Sequence, residues 1–207
     1  MLRELNYVVF DLETTGLYPE DGDEIIEIGA IAVENCQITE QVFHTLVNPG
    51  RPIPPSSTAV HGIRDQDVAG APTIDSAIRN FMSFVGNRIW IAQNARFDLS
   101  FIIRKLTQLQ IPPKQTVVID TIGISKLLFP YEQSHALDRI MARLGIPRTG
   151  ERHRSIDDSR YTALVFLEFL KLLEQQAMTE LLHIESAFIR AETLIRVEKP
   201  KPRGLFT

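Results

Sequence analysis

Residues 7–16, with the sequence YVVFDLETTG, begin as an apolar run and end in a polar turn. Side chains of an extended chain point alternately to opposite faces, so this run is apolar on both faces. Its apolar residues divide into Val8, Phe10 and Leu12 on one face and Tyr7 and Val9 on the other. A strand with two apolar faces is typical of the covered centre of a sheet.

The apolar spacing along the rest of the chain predicts a series of strands and helices. Strand patterns are found at residues 24–33, 37–47, 88–93 and 117–119, with a hairpin turn at 34–36. Helical spacing is found at residues 56–60, 73–85 and 97–109, in a helix that ends near 128, at 134–144, and in a long helix from 157. Three strands in a meander followed by alternating helices and strands predict an α/β domain, with a mixed five-stranded sheet flanked by helices.

Composition and charge narrow the functional classes. The chain has 207 residues, of which 44% are hydrophobic and 23% charged, which suits one folded domain with an appendage. A formal net charge of -4 argues against nonspecific wrapping of duplex DNA, because proteins that do this are usually basic. Cys36 is the single cysteine, which excludes an intramolecular disulfide and fits a reducing compartment. Without a signal-peptide pattern or an apolar run of membrane-spanning length, we expect a cytoplasmic location and no membrane contact.

Two carboxylates, Asp11 and Glu13, end the first strand and point to the same side. They would repel each other and lose hydration there, and a divalent cation would relieve both costs. Carboxylate oxygens are the ligands that magnesium and manganese prefer, and Gly16 lets the backbone approach a ligand. The alternative is that both acids only cap a turn.

A third acid, Asp98, follows the fourth strand and begins a helix. An aspartate in this place can simply cap the helix N-terminus. However, functional sites gather at strand ends in α/β sheets, so Asp98 is also a candidate ligand.

The segment 153–160, with the sequence HRSIDDSR, carries a histidine and two aspartates. His153 can accept a proton near neutral pH, although a histidine among arginines is also a common surface residue. Asp158 lies in the first turn of the long helix. Asp157 is a rival ligand or a cap, and spacing alone does not separate the two.

Three segments, taken together, resemble the exonuclease motifs of the DEDDh (DnaQ-like) 3′–5′ exonucleases, a family that includes the proofreading epsilon subunit of bacterial DNA polymerase III. They are Asp11-x-Glu13-Thr14-Thr15-Gly16, Asn94-Ala95-Arg96-Phe97-Asp98, and His153 followed by Asp158. The resemblance covers about residues 5–175, and residues 60–63, 120–121 and 136–138 resemble the family's intervening segments. Three motifs in the same order and spacing are far more specific than one.

The resemblance implies a ribonuclease H-like fold and the hydrolysis of terminal phosphodiesters of single-stranded DNA to 5′-mononucleotides. It also implies two Mg²⁺ or Mn²⁺ ions, with His153 as the general base, and it favours Asp158 over Asp157. The implied metal ligands are Asp11, Glu13, Asp98 and Asp158. The implied substrate contacts are Thr14, Thr15, Leu17, His61, Asn94 and Phe97.

Gln93 departs from the family pattern, since many relatives have histidine before Asn-Ala, and this leaves positioning and substrate preference open. Two alternatives to a DNA exonuclease remain at this point: an RNA-trimming exonuclease, which would use the same five residues, and a noncatalytic module that binds a polymerase or nucleic acid. Further phosphate contacts, or only a solvated basic face, are expected from the arginines Arg139, Arg143, Arg148, Arg152 and Arg154.

The C-terminal segment is predicted to be separate from an exonuclease domain at 1–175. Apolar residues at a three-four spacing predict a helix at 176–198, which either folds back on the domain or mediates association as a homodimer or with a polymerase subunit. These residues are Leu181, Ile184, Phe188, Ala191 and Ile195. We favour association, so that a chain ending near residue 176 would keep its activity. Residues 199–207 are expected to be disordered.

Overall fold

One mixed sheet forms the centre of the computed structural model, which describes residues 1–112, 117–149 and 153–190. Within these residues the strands are β1 (Tyr7–Thr14), β2 (Ile25–Glu34), β3 (Gln37–Leu46), β4 (Ile89–Ala92), β5 (Val117–Asp120) and β6 (Phe188–Arg190). Their spatial order is β3-β2-β1-β4-β5-β6. The β1–β4 and β4–β5 pairs are parallel and the other three are antiparallel. The predicted α/β class and mixed sheet are confirmed, but the sheet has six strands instead of five.

Helices cover both faces of this sheet. They are α1 (Pro55–His61), α2 (Asp65–Val68), α3 (Ile74–Val85), α4 (Ala95–Gln108), α5 (Thr121–Leu128), α6 (Leu137–Leu144) and α7 (Ser155–Gln175). Short 3₁₀ helices lie at Leu2–Glu4, Pro19–Asp21 and Leu181–Ala187. The four-residue α2 was not predicted, because it is too short to show an apolar period.

The two faces of β1 belong to two different cores, as the sequence predicts. Val8, Phe10 and Leu12 pack with α3 and α4, whereas Tyr7 and Val9 pack with α5, α6 and α7. Burial of each large apolar side chain contributes about 1.5–3 kcal/mol, so both cores hold β1 firmly in place.

The N-terminal turn of α7 lies directly on β2. A Cβ atom built on Gly29 would lie 2.4 Å from backbone atoms of Ser155 and Ile156. The Ser159 hydroxyl donates a hydrogen bond to the Gly29 carbonyl at 3.0 Å. Only glycine permits this approach, which fixes the start of α7 against the sheet.

Residues 181–190 do not form the predicted helix. Leu181–Ala187 is a 3₁₀ helix, and Phe188–Arg190 is the edge strand β6, paired with β5. Ile184 and Ala187 are buried in the core shared with α5 and α7. The three-four spacing was misleading because the apolar residues are buried by a short 3₁₀ turn and a strand instead of one continuous helix face. Residues 191–207, including the rest of the predicted helix and the tail, lie outside the described residues.

None of the helices in the described ranges combines the length and the apolar character needed to cross a membrane. The cytoplasmic location stays a prediction.

Candidate active site

Asp11 and Glu13 lie side by side near the end of β1, as predicted. They pair with Gly29 and Glu27 of β2, and the register shifts between Glu13 and Thr14. Asp11 is half-buried, and the exposed fraction of Glu13 is 9%. Both carboxylates therefore have reduced contact with water.

Asp98 reaches the same place from α4. The N-cap of this helix is Asn94, which adopts the left-handed conformation at φ 58°, so the interpretation of Asp98 as the cap is wrong. Instead, Asp98 is 2% exposed, and its Oδ1 accepts a hydrogen bond from the Leu12 N–H at 3.0 Å. This bond places the Asp98 carboxylate against the backbone of β1, where its charge acts on Asp11.

His153 and Asp158 approach from the other face, His153 from the segment just before α7 and Asp158 from the first turn of α7. One ligand atom from each of Glu13, His153 and Asp158 lies within 4.8 Å of the others. The backbone N–H of His153 donates to Asp158 Oδ2 at 3.1 Å, and Arg148 Nη1 donates to Asp158 Oδ1 at 2.9 Å. The group that the structure brings together contains Asp158 and not Asp157. Asp157 does not cap α7 either, because the N-cap is Arg154.

Burial and mutual repulsion dominate the electrostatics of these carboxylates. Burial, followed by the charges of Asp98, Glu13 and Asp158, raises the pKa of Asp11 well above its usual value. Burial raises the pKa of Glu13 and of Asp98 to about 8 in each case, with further contributions from neighbouring acids. Hard carboxylate oxygens that repel one another in this way fit a divalent cation such as Mg²⁺ or Mn²⁺.

A cleft of about 450 Å³ opens beside Glu13. Five of the six predicted substrate residues line it: Thr14, Thr15, Leu17, His61 and Phe97. Leu17 is 65% exposed and forms an apolar patch on the wall. Burial lowers the pKa of His61, and its Nδ1 accepts a hydrogen bond from the Ile63 N–H at 3.1 Å, so a neutral ring carries its proton on Nε2. The sixth, Asn94, does not line this cleft. Its N–H donates to Asp120 Oδ1 at 3.1 Å.

A second cleft of about 250 Å³ lies on the other side of Asp11. Its lining residues are Asp11, Gln93, Ala136, Leu137, Asp138, Arg148, His153 and Asp158. The Gln93 amide donates to the His135 carbonyl at 2.9 Å and accepts from the Thr121 hydroxyl at 2.5 Å. Gln93 therefore anchors the segment before α6, which forms one wall of this cleft.

The predicted basic face is largely a set of ion pairs. Arg143 pairs with Glu132, Arg148 pairs with Asp138 and Asp158, and Arg154 pairs with Glu27. Arg139 is exposed, and Arg152 lies outside the described residues.

The sequence analysis did not identify Glu27, a fully buried glutamate that pairs with Arg154 just before α7. Its signal was a charged residue inside the apolar run EIIEIGAIAV, where a strand covered on both faces has no room for an unpaired charge.

Most of the chain, including these residues, matches the model of a known protein family. A family model described as an exonuclease, that of RNase T, matches residues 8–166, a range that includes every residue of the carboxylate and histidine group. The chain belongs to the RNase T exonuclease family.

Several curated relatives of this exonuclease domain are larger proteins. It is 44% identical over 181 residues to a DNA polymerase III subunit epsilon-like protein of Rhodobacter capsulatus, covering 86% of this chain and 25% of the relative. It is 36% identical over 180 residues to a PolC-type DNA polymerase III of Thermotoga petrophila, covering 87% and 13%. A 3′–5′ exonuclease DinG of Bacillus subtilis is 32% identical over 174 residues, with coverage of 84% and 18%. The chain therefore spans a quarter or less of the length of these relatives.

Solved exonuclease structures share the fold. Exonuclease X in complex with 5′ overhanging duplex DNA superposes with a TM-score of 0.65 at 25% identity, covering 80% of this chain and 91% of that one. The nuclease domain of 3′hExo, described as a DEDDh family member bound to rAMP, gives a TM-score of 0.70 at 19% identity, with coverage of 84% and 94%. The predicted ribonuclease H-like fold and the resemblance to DEDDh exonucleases are confirmed.

Proposed function

We propose that the chain is a metal-dependent 3′–5′ exonuclease that hydrolyses the terminal phosphodiester of single-stranded DNA and releases 5′-mononucleotides. The observation that carries this proposal is the meeting of Glu13, His153 and Asp158 within 4.8 Å, directly between two open clefts. Relatives named as DNA polymerase III proteins support DNA as the substrate. A noncatalytic binding module would not need this constellation, which strongly disfavours that alternative.

The cleft beside Glu13 would take the terminal nucleotide. Its volume falls within the range of about 300–1,000 Å³ that is usual for small-ligand sites. Leu17 and Phe97 offer apolar surface to the base, and the backbone at Thr14 and Thr15 offers polar groups to the sugar. The chain of the substrate would continue past Asp11 into the second cleft, where Arg148 lies.

The reacting phosphate would then lie over the carboxylates. Asp11, Glu13, Asp98 and Asp158 would hold two Mg²⁺ or Mn²⁺ ions, whose chemistry is to acidify a bound water and to stabilise charge on the leaving oxygen. His153 would accept the proton of the attacking water, because its side chain lines the second cleft and a ring nitrogen lies within 4.8 Å of an Asp158 carboxylate oxygen. The 3′ oxygen of the preceding nucleotide leaves, and a 5′-mononucleotide is released.

A strand-polarity experiment tests this proposal. With Mn²⁺, the purified protein should shorten 5′-labelled single-stranded DNA stepwise from its 3′ end. A 3′-phosphate should slow the reaction, and duplex ends should react more slowly, because separating them costs stacking and pairing energy. RNA of the same sequence, as a parallel substrate, should be shortened more slowly than DNA.

The matched control is Asp11→Asn, prepared in the same way, which should show no cleavage. Internal cuts in a closed single-stranded circle would contradict the terminal mechanism, and so would equal rates for wild type and Asp11→Asn. Faster shortening of RNA would replace DNA by RNA as the substrate class.

A further inference from the structure

Glu27 on β2 is a charged side chain with an exposed fraction of 0%. Its Oε1 accepts hydrogen bonds from His44 Nε2 at 2.8 Å and from Arg154 Nη2 and Nε at 2.7 and 3.2 Å. Its Oε2 accepts from the Ser155 N–H at 2.8 Å. A buried charge is stable only when it is paired and fully hydrogen-bonded, and this carboxylate meets both conditions.

Glu27 stays ionised in this setting. Burial by itself would raise the pKa of Glu27, but the hydrogen bonds from His44, Arg154 and the Ser155 N–H outweigh burial and lower it to about 2. Glu27 therefore accepts hydrogen bonds as a carboxylate at any pH at which the protein would work.

Two of the three partners of Glu27, Arg154 and Ser155, follow His153 directly in the chain, and Ser155 is the first residue of α7. Arg154 makes no side-chain cap, so Glu27 supplies the acceptor that the first N–H group of the helix requires. Gly29 lies two residues further along β2 and contacts the same turn, and Ser159 bonds to its carbonyl. The first turn of α7, which carries Asp158, is thus fixed to β2 at three points.

Within the residues that the structure describes, His153 has few restraints of its own. It adopts the left-handed conformation at φ 56°, which is unfavourable for a residue with a side chain, and its side chain is exposed. Its backbone N–H is bonded to Asp158. Among the described residues, Asp158 and the residues that follow His153 set its position, and Glu27 holds both Arg154 and Ser155.

We propose that Glu27 is a positioning residue that, through Arg154 and Ser155, fixes His153 and Asp158 opposite Glu13. The β1–β2 register supports this role, because Glu27 pairs directly with Glu13. One buried side chain thus connects β2, at the position beside Glu13 of β1, to the helix that carries Asp158. The inference rests on the proposed exonuclease function, since the positioned groups are those assigned to hydrolysis. Displacements of about 1 Å can reduce catalytic rates by about 100-fold.

The test compares Glu27→Gln with Glu34→Gln. Glutamine has the same shape as glutamate, but it lacks the charge and cannot accept all of these hydrogen bonds. Glu34 is also on β2 and pairs with Arg88 at 2.8 Å, away from both clefts, so its variant controls for the loss of a Glu–Arg pair. The substrate is a thymidine 5′-monophosphate aryl ester, which presents a single terminal nucleotide. Its hydrolysis with saturating Mn²⁺ gives kcat and KM.

We expect kcat of Glu27→Gln to fall by about 10- to 100-fold with KM unchanged, because the nucleotide cleft is built from β1, α1 and α4. Glu34→Gln should keep the wild-type kcat. Amide hydrogen exchange of residues 155–158 should become faster in Glu27→Gln and stay unchanged in Glu34→Gln.

Two results would overturn the positioning role. One is a wild-type kcat for Glu27→Gln. The other is a loss of kcat that only follows the unfolded fraction, measured by circular dichroism at the assay temperature. An inactive wild-type protein would refute the proposed function instead, and the exchange measurement would then decide by itself whether Glu27 holds the start of α7.

Discussion

At the scale of single residues, three carboxylates share an unusual property. Asp11, Glu13 and Asp98 each retain a proton to higher pH than a carboxylate in water, because burial and neighbouring acids disfavour their ionised forms. Folding brings these groups together although their charges oppose it. The cores on both faces of β1 provide the free energy that compensates for this.

This cost leads to a prediction on pH and stability. A carboxylate whose pKa is raised by folding releases its proton more easily when the chain unfolds, so the metal-free protein loses stability as pH rises from about 4 to about 8. We expect the melting temperature in EDTA to fall across this interval. Saturating Mn²⁺ should flatten the profile, because the metal replaces the protons.

Variants separate this effect from general charge repulsion. Asp98→Asn should reduce the pH dependence in EDTA and also reduce the shift caused by Mn²⁺. Asp75→Asn, at an exposed position of α3, should reproduce the wild-type profile. A melting temperature in EDTA that stays constant between about pH 5 and pH 8 would contradict the prediction.

His153 supplies a second prediction at this scale. His153→Ala should lower kcat by about 10²–10⁴-fold, as is typical when a general base is removed. The carboxylates remain, so Mn²⁺ should still raise the melting temperature. His183→Ala, in the exposed part of the C-terminal 3₁₀ helix, is the control and should keep full activity. A His153→Ala rate within a few-fold of wild type, in an assay limited by chemistry, would count against the assignment.

The burial and direction of side chains could be predicted where the sequence pattern is local. The alternation in β1 correctly gave both the buried faces and the common side of Asp11 and Glu13. The acceptor role of Asp98 could not be inferred, because its partner Leu12 lies 86 positions away in the sequence. Glu27 and Ser155 are 128 positions apart. Such contacts depend on the packed fold and leave no periodic signal.

At the scale of elements, the C-terminal segment differs from the separate helix that the sequence predicts. Ile184 and Ala187 are buried beside α5, where a Cβ on Gly123 would lie 2.5 Å from the Ala187 Cα. The backbone of β6 completes the edge of β5, and the Leu2 N–H donates to the Thr179 carbonyl at 2.7 Å. These contacts make residues 177–190 part of the exonuclease fold. Association through the more distal residues stays a prediction.

The corresponding prediction concerns two truncations. A chain ending at Gln176 should be less stable, because burial of Ile184 alone contributes about 1.5–3 kcal/mol and the edge of β5 becomes unpaired. A chain ending at Arg190 keeps all of the described contacts and should unfold at the wild-type urea concentration. This expectation replaces the one drawn from the apolar spacing.

Urea unfolding and exonuclease activity at matched concentration measure the result. Equal unfolding midpoints for the two truncated chains would show that residues 177–190 only rest on the domain. Stability retained by the Gln176 chain would then restore the association hypothesis.

At the scale of the whole molecule, the site lies where β1 meets a parallel neighbour on one side and an antiparallel neighbour on the other. Asp98 comes from a helix on one face of the sheet, and His153 and Asp158 come from the other face. The site therefore forms only when both faces are packed. The fold class was predictable because strand order and helix order are local patterns, whereas the sixth strand is only three residues long and follows a misleading period.

The two-sided character of β1 also has a consequence for sequence change. A single-residue insertion or deletion between Tyr7 and Asp11 would exchange the two faces for the residues that follow it, turning both carboxylates toward α3 and α4 and apolar side chains toward the site. The hairpin turn at 34–36, where Asn35 and Cys36 have positive φ, joins β2 to β3 beyond the Tyr7–Val33 pair, at the end of β1 opposite to the two carboxylates. Natural or engineered length variation in this family should therefore accumulate at such turns and be absent from β1, even where point substitutions in β1 are tolerated.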